Sequence, residues 1–293
     1  MKQPIVRYHT DDEGHWVAQL TCGHNQHVRH DPPWMIREWV VTESGRQKMV
    51  GYLLDCVKCE ELAPPDERPS VVVSIQVGTP RMISSERPWA SGFIKESIAE
   101  PVCLGATNLT GDGQADLKHH GGPDKAVCVY PEIHYRHWRS RLALPTLKWG
   151  AFGENFTVSE LTEDDVCIGD VWSVGEALVQ VSQPRQPCWK LARRWDIEDL
   201  AWQVQQTGFT GWYFRVLKEG LVQREAVLRL VSRSHGQWTI AAANHLMHHD
   251  KRDRTGASRL AAIPELSRSW HNTLMKRAET GQQSDESKRL GTD

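Results

Sequence analysis

No stretch of this 293-residue chain is apolar for long enough to cross a membrane, which takes about 20 consecutive residues. The opening residues, MKQPIVRYHTDDEGHW, lack the apolar core of a secretory signal, so the chain is expected in the cytoplasm. Net charge is close to absent at −2, and with it the basic surplus that marks a nucleic-acid-binding protein. No G-x-G-x-x-G follows a strand-like run, so the chain has no nicotinamide or flavin fingerprint. An even set of cysteines is missing too: there are seven, two of them in Cys56-x-x-Cys59. In a cytosolic chain that spacing points to metal binding or catalysis rather than a disulfide framework. Phenylalanine and tyrosine are scarce, five of each against 13 tryptophans, and no function follows from that ratio.

What is present divides into segments. ELAPPDERPS at 61–70 reads as a linker, SRSHGQ at 232–237 as a polar break, and the tail from Gly281 has almost nothing to bury. These breaks set out residues 1–66, 70–232 and 237–280, followed by a tail at 281–293 expected to lack fixed structure. No internal repeat is present. The middle segment holds β-branched runs at 71–77, 125–130, 177–183 and 226–231. Helices are expected at 131–142, with Pro131 at the first position, and at 196–208, from an Asp196 cap to Gly208. Irregularly spaced strands with few helices predict a β-rich, barrel-like α+β domain. The segment 237–280 reads as a three-helix bundle, with Leu266, Trp270 and Leu274 on one stripe.

The first segment is too short to stand on a hydrophobic core alone, and it carries the ligands for a cross-link. Cys56 and Cys59 on a tight turn offer two thiolates to one ion. Cys22 and His24, two residues apart, point to one face of an extended strand. Together they make a tetrahedral zinc-ribbon set, with His27 the rival of His24 for the fourth place. Such a site is structural rather than catalytic. Cys-Gly-His, Val-Arg-His and Cys-x-x-Cys in this order also resemble a small bacterial domain of unknown function, which implies no activity.

Of the remaining cysteines, Cys103, Cys128 and Cys167 read as small buried hydrophobes. Cys188 differs. In VSQPRQPCWKLARRW, Pro184 and Pro187 stop a strand and fix the turn before it, and Arg185 and Lys190 stand close by. Nearby cations favour a thiolate, the form that attacks electrophiles or binds a soft metal. Far away in sequence, GDGQADLKHHGGPDKAVCVYP at 111–131 joins two histidines to a Gly-Gly pair. Asp112 and Asp116 read there as turn caps. Glu154 and Asn155 lie on a glycine-flanked turn, either lining a pocket or satisfying backbone groups. His245, His248 and His249 have helical spacing and read as a polar helix end.

From about residue 105 to 277 the chain resembles MOSC-domain proteins of the YiiM type. The motifs are GDGQAD, KHHGGPDKAVCVYP, FGENF, IGD, GEALVQVSQPRQPCWKL, TGFTGW and LSRSWHNTLMKR, in matching order and spacing. The resemblance implies a barrel-like domain that binds the molybdenum cofactor (molybdopterin), with Cys188 as the thiolate on molybdenum. The family histidine falls on His120 and leaves His119 a bystander. Lys118 and Lys190 match basic positions, and with Arg185 they suit the phosphate of the pterin. Gly121 and Gly122 would let the backbone approach the cofactor, and Asn155 would stand beside it. His120 is the residue type tuned to pass protons near neutral pH.

The implied activity is that of an oxidoreductase reducing N-hydroxylated compounds, such as the nucleobase 6-hydroxylaminopurine, in detoxification, independent of pyridoxal phosphate. Electrons should come from a separate flavoprotein reductase, and a homodimer is left open. Neither a membrane nor a nucleic-acid partner is expected. Two other readings remain: a sulfur carrier holding a persulfide on Cys188, and a binding module in which the zinc ribbon docks a degenerate barrel.

Overall fold

The computed structural model describes residues 2–21, 23–32, 35–56, 58, 69–84 and 88–291. The chain forms two compact units, 1–68 and 69–293. None of the described helices is long and apolar enough to cross a membrane.

The first unit is an antiparallel sheet in the order β3-β2-β1-β4, from β1 (Lys2–Thr10), β2 (Trp16–Leu20), β3 (Asn25–His27) and β4 (Leu53–Asp55). Asp11 holds the β1–β2 turn by accepting from the backbone N–H groups of Glu13 and His15. A short helix, α1 (Glu43–Lys48), starts from a Thr42 cap that accepts from the Gly45 N–H. The core is small: Ile5, Ala18, Leu20, Val28, Val40, Leu54 and Cys56. A unit of this size needs more than that to be stable.

The second unit is built on an eight-stranded sheet in the order β16-β12-β13-β14-β10-β11-β5-β8. Its strands are β5 (Val72–Val77), β8 (Glu96–Ile98), β10 (Val127–Pro131), β11 (Phe156–Val158), β12 (Val171–Val174), β13 (Ala177–Pro184), β14 (Trp212–Lys218) and β16 (Leu228–Ser232). All neighbours are antiparallel except β10 and β11. A bridge between Val71 and Val227 brings the two ends of the sheet toward closure, a half-barrel. Two ribbons flank it, β6 (Arg81–Ile83) with β7 (Trp89–Ser91) and β9 (Val102–Leu104) with β15 (Gly220–Val222). Every residue of β10 is buried, which explains its unbroken apolar run.

Between the strands lie α2 (Leu117–His120), α3 (His134–Arg141), α4 (Lys190–Trp195) and α5 (Leu200–Thr207). The C-terminal helices α6 (Ile240–His248), α7 (Arg254–Ala261) and α8 (Arg268–Thr280) begin at Thr239, Asp253 and Ser267. Each of these caps accepts a backbone N–H in the first turn. Ile240, Leu246, Leu260, Trp270 and Leu274 share one core cluster with the sheet, so the helices and the half-barrel are packed together. The α+β, sheet-rich architecture is the one the sequence predicts.

Three local expectations differ. Pro131 is the last residue of β10 rather than the first of a helix, because the parallel ladder to β11 extends to the pair Pro131–Val158. The helix then starts at His134. Asp196 is a left-handed cap ending α4, with φ 53°, rather than the start of a helix over 196–208. The later helix still buries Leu200, Ala201 and Val204 and stops at Gly208. The tail expected to lack structure ends in a further helix, α9 (Ser287–Leu290), with Leu290 buried.

Arg277 fixes the helices to one another. Its guanidinium is buried and donates to the Leu246 and Met247 carbonyls at the end of α6, at 2.8 and 2.9 Å. Those carbonyls have no partner within their own helix. Arg277→Ala is expected to lower the unfolding free energy by about 3 kcal/mol in urea titration; a loss under about 1 kcal/mol would show that other groups replace it.

Candidate active site

The site forms where two loops meet. On one side, β13 ends at Pro184 and the chain runs through Arg185 to Pro187 before α4 begins. The Arg185 N–H donates to the Gly211 carbonyl and prolongs the register with β14. On the other side, Asp116 shapes α2. Its carboxylate accepts from the His119 N–H, and its carbonyl accepts from the His120 N–H at 2.9 Å. Gly122 takes φ +89°, which side-chain-bearing residues rarely adopt, and Lys125 Nζ closes the turn on the His119 carbonyl at 2.7 Å. This geometry brings His120 Nε2 to 3.8 Å from Cys188 Sγ, across 68 positions of sequence.

Between them lies a cavity of about 60 Å³, lined among others by His120, Cys188, Arg185, Lys125, Lys190 and Asn155. Three residues that the sequence did not single out as functional, Lys95, Cys128 and Tyr213, are also among its lining. Cys128 and Tyr213 are direct partners across β10 and β14, so their side chains share a face. That pairing register was the missing signal. Burial pushes the Cys128 thiol up to about 11 and raises Tyr213 as well, so neither is an anion at neutral pH.

Charge in this cavity is one-sided. Lys95 is neutralised by Asp112, with which it forms a close buried ion pair. Arg185 is buried and donates through Nη2 to the Phe152 carbonyl at 2.6 Å, while Nη1 is buried with no hydrogen-bond partner among the described residues. Lys190 is also buried and has no carboxylate partner among them. Burial, then Lys190, Lys125 and Arg185, lower the His120 pKa to about 3. His120 is therefore a neutral imidazole in the free chain, where the sequence alone suggested titration near neutral pH. A buried guanidinium with an unused donor is costly unless an anion meets it.

The other predicted residues fall into place unevenly. Asn155 borders the cavity, but its amide donates to Asp112 and to the Gln76 carbonyl and accepts from the Cys128 N–H. Its bonding capacity is used within the fold. Gly121 and Gly122 do not border the cavity: a Cβ on Gly121 would meet Leu117 at 2.8 Å, so the pair serves the turn. The Lys118 side chain lies outside the described residues. Asp112 is a buried hub for Lys95, Asn155 and the Gly78 N–H, more than a turn cap. Glu154 accepts from the Gly150 and Phe152 N–H groups and from Tyr135. His119 is exposed and bonded to Asp116. His245 and His249 are exposed, whereas His248 is buried against Glu286.

A larger groove, about 920 Å³, lies along α3 and α6. It contains no thiol and no buried cation without a partner, so the smaller cavity is the better candidate for chemistry. In the first unit, Cys56 Sγ and His24 Nδ1 approach to 3.6 Å. His27 instead engages Asp11 at 2.7 Å. Cys22 and Cys59 lie outside the described residues, and among the described ones no group of three or more His, Cys, Asp or Glu side chains is arranged to hold a metal ion.

The lowered pKa of His120 has a consequence for stability. A histidine with a folded pKa below its unfolded value, here about 3 against 6.5, favours unfolding once protonated. Its contribution is whole above pH 6.5 and is lost as pH falls toward about 3, at up to about 1.4 kcal/mol per pH unit. His120→Gln is expected to flatten this acid slope, read from urea midpoints at about pH 7 and about pH 4.5. An unchanged slope would place the acid sensitivity elsewhere.

Comparison with known proteins accounts for most of the chain. Residues 116–229 match the MOSC domain, 238–281 the YiiM-like 3-alpha helix domain, and 6–63 a protein of unknown function, DUF3565. Protein YiiM of Escherichia coli is 38% identical over 82% of this chain and 98% of its own length. A protein of Gibberella moniliformis named "Reductase" is 32% identical over 60% of this chain, but over only 32% of its own length. The crystal structure of YiiM from Geobacillus stearothermophilus is 42% identical, with a TM-score of 0.62, covering 72% of this chain and all of that one. The order of sheet, cysteine loop and terminal helices, together with these matches, makes this chain a member of the YiiM-type MOSC-domain proteins.

Proposed function

We propose that this protein is an oxidoreductase that uses the molybdenum cofactor to reduce N-hydroxylated compounds, nucleobases among them, in detoxification. The observation that carries the reading is the buried Arg185 guanidinium with a free donor, set in the same cavity as the Cys188 thiol and the neutral His120. A MOSC domain and a relative named a reductase support the same class of activity. The donor set fits the group. Cys188 offers the soft thiolate that molybdenum takes, and Arg185, Lys190 and Lys125 offer cations for an anionic pterin phosphate. When bound, the cofactor supplies a two-electron change between Mo(VI) and Mo(IV).

The balance of the reaction is R–NHOH + 2 H⁺ + 2 e⁻ → R–NH₂ + H₂O. His120 is the protein group placed to move these protons through Nε2. Burial is the larger cause of its low basicity and the cations Lys190, Lys125 and Arg185 the next; an anionic cofactor would offset the cations' share and shift the imidazole back upward. The electrons are assigned to a separate flavoprotein reductase, as the chain lacks a dinucleotide fingerprint. In the first unit a structural zinc is proposed on Cys22, His24, Cys56 and Cys59, supported by the approach of His24 to Cys56.

The test is elemental analysis of protein purified from a host that makes the cofactor. Wild type is expected to carry molybdenum and zinc, Cys188→Ala to keep zinc and lose molybdenum, and Cys56→Ala to lose zinc. Wild type with zinc alone and a mass gain of one sulfur atom on Cys188 would replace this reading with the sulfur carrier. His120→Ala is expected to retain molybdenum and to lower kcat for an N-hydroxylated base by about 10²–10⁴-fold. Unchanged turnover would remove His120 from proton transfer.

A further inference from the structure

The end of the chain lies against the loop that carries Cys188. The family matches stop at residue 281, so this contact is made by a segment outside them. Glu286 anchors it. Its carboxylate meets His248 Nδ1 and Lys251 Nζ, each at 2.7 Å, at the end of α6. Arg289 then reaches the loop from α9. Its Nη1 donates to the Pro187 carbonyl, and its own carbonyl accepts from the Trp189 N–H at 2.8 Å. Its Nη2 is held by Gln205 at 2.6 Å and by Glu286 at 3.0 Å. A Cβ on Gly291 would lie 3.0 Å from Trp189, so the backbone itself packs on the loop.

The two groups that Arg289 holds are not arbitrary. The Pro187 carbonyl belongs to the peptide bond before Cys188, and the Trp189 N–H to the one after it. One residue thus ties both peptide groups of the cysteine. The two groups restrain the backbone dihedrals on either side of its Cα, and so the direction of its Cα–Cβ bond, from which χ1 rotamers carry Sγ. Among the described residues Pro187 has no N–H of its own to anchor it and α4 begins only at Lys190, so the loop depends on contacts of this kind.

We propose that Arg289 is a positioning residue for Cys188, and that residues 286–290 form a latch, anchored through Glu286, which holds the thiol in the cavity facing His120. The functional meaning rests on the reading of Cys188 as the reacting thiol. The structural claim is independent of molybdenum, and the test keeps the two apart.

The experiment uses the full chain, free of molybdenum, and follows iodoacetamide alkylation of each cysteine by mass spectrometry. Cys188 is buried and Cys103 is exposed, so Cys103 is the internal standard. Arg289→Ala is expected to speed Cys188 alkylation by about tenfold or more relative to Cys103, as the loop opens locally. Glu286→Ala is expected to do the same, although the Glu286 side chain makes its hydrogen bonds and ion pairs to Gln205, His248, Lys251 and Arg289 rather than to the loop. Arg289→Lys keeps a cation that can reach the Pro187 carbonyl and is expected to recover most of the protection. Buried Cys128 and Cys167 report global unfolding. If they react in step with Cys188, the segment only stabilises the fold and the proposal falls. It falls equally if Cys188 reacts within about twofold of wild type in both alanine variants. Molybdenum content of the same proteins from a cofactor-making host reads the cofactor assignment separately: protection without molybdenum in wild type would leave the latch standing and remove the cofactor.

Discussion

Positive charge enclosed without its partner is the constraint around which the second unit is arranged. Arg185 is buried with a donor unused, Lys190 is buried beside it, and burial together with the field of these cations keeps His120 neutral. Folding pays for this arrangement, because desolvated cations are expensive and among the described residues no carboxylate pairs with Arg185 or Lys190. An anion offsets that cost. Such a site is therefore poised for a negatively charged guest before any catalytic role is considered, and the nearby thiol and imidazole define what chemistry follows once the guest is bound.

The acidic residues nearby would seem the natural counter-ions, yet each is committed elsewhere. Asp112 pairs with Lys95 and holds Asn155 and the Gly78 N–H. Glu154 is spent on two backbone N–H groups and Tyr135. Asp116 is bound to the α2 turn and His119. These carboxylates build the walls and leave the interior short of negative charge. A carboxylate turned inward would neutralise Arg185 and remove the affinity for an anion, so the scaffold and the binding property come from one division of labour.

This division explains which parts were legible in the sequence. Strand runs such as VVVSIQV and ALVQVSQ were readable because their β-branched residues pack in buried strands, and the C-terminal bundle because Trp270 and Leu274 fall on one stripe, which α8 buries. Cys188 stood out through its prolines and neighbouring cations. The pairing of Cys128 with Tyr213 was not readable, since it depends on the register between two strands far apart in sequence. Nor was the fate of Asn155, whose motif marks its position while its partners lie on other elements. Pro131 misled because helix-start chemistry and strand-end chemistry look alike at a proline when the neighbouring strand is unknown.

The tail shows the same limit more sharply. Its composition, polar and poor in apolar residues, is that of a segment unable to pay for its own ordering. It is ordered by groups that other elements leave exposed: the end of α6 supplies His248 and Lys251 to Glu286, and the loop around Cys188 supplies a free carbonyl and a free N–H to Arg289. The loop around Cys188 lies between the end of β13 and the start of α4, so its polar backbone groups need partners from other elements. Compositional rules ask whether a segment can fold alone. They do not ask whether a neighbouring loop has unmet hydrogen bonds, and here that second question decides the structure.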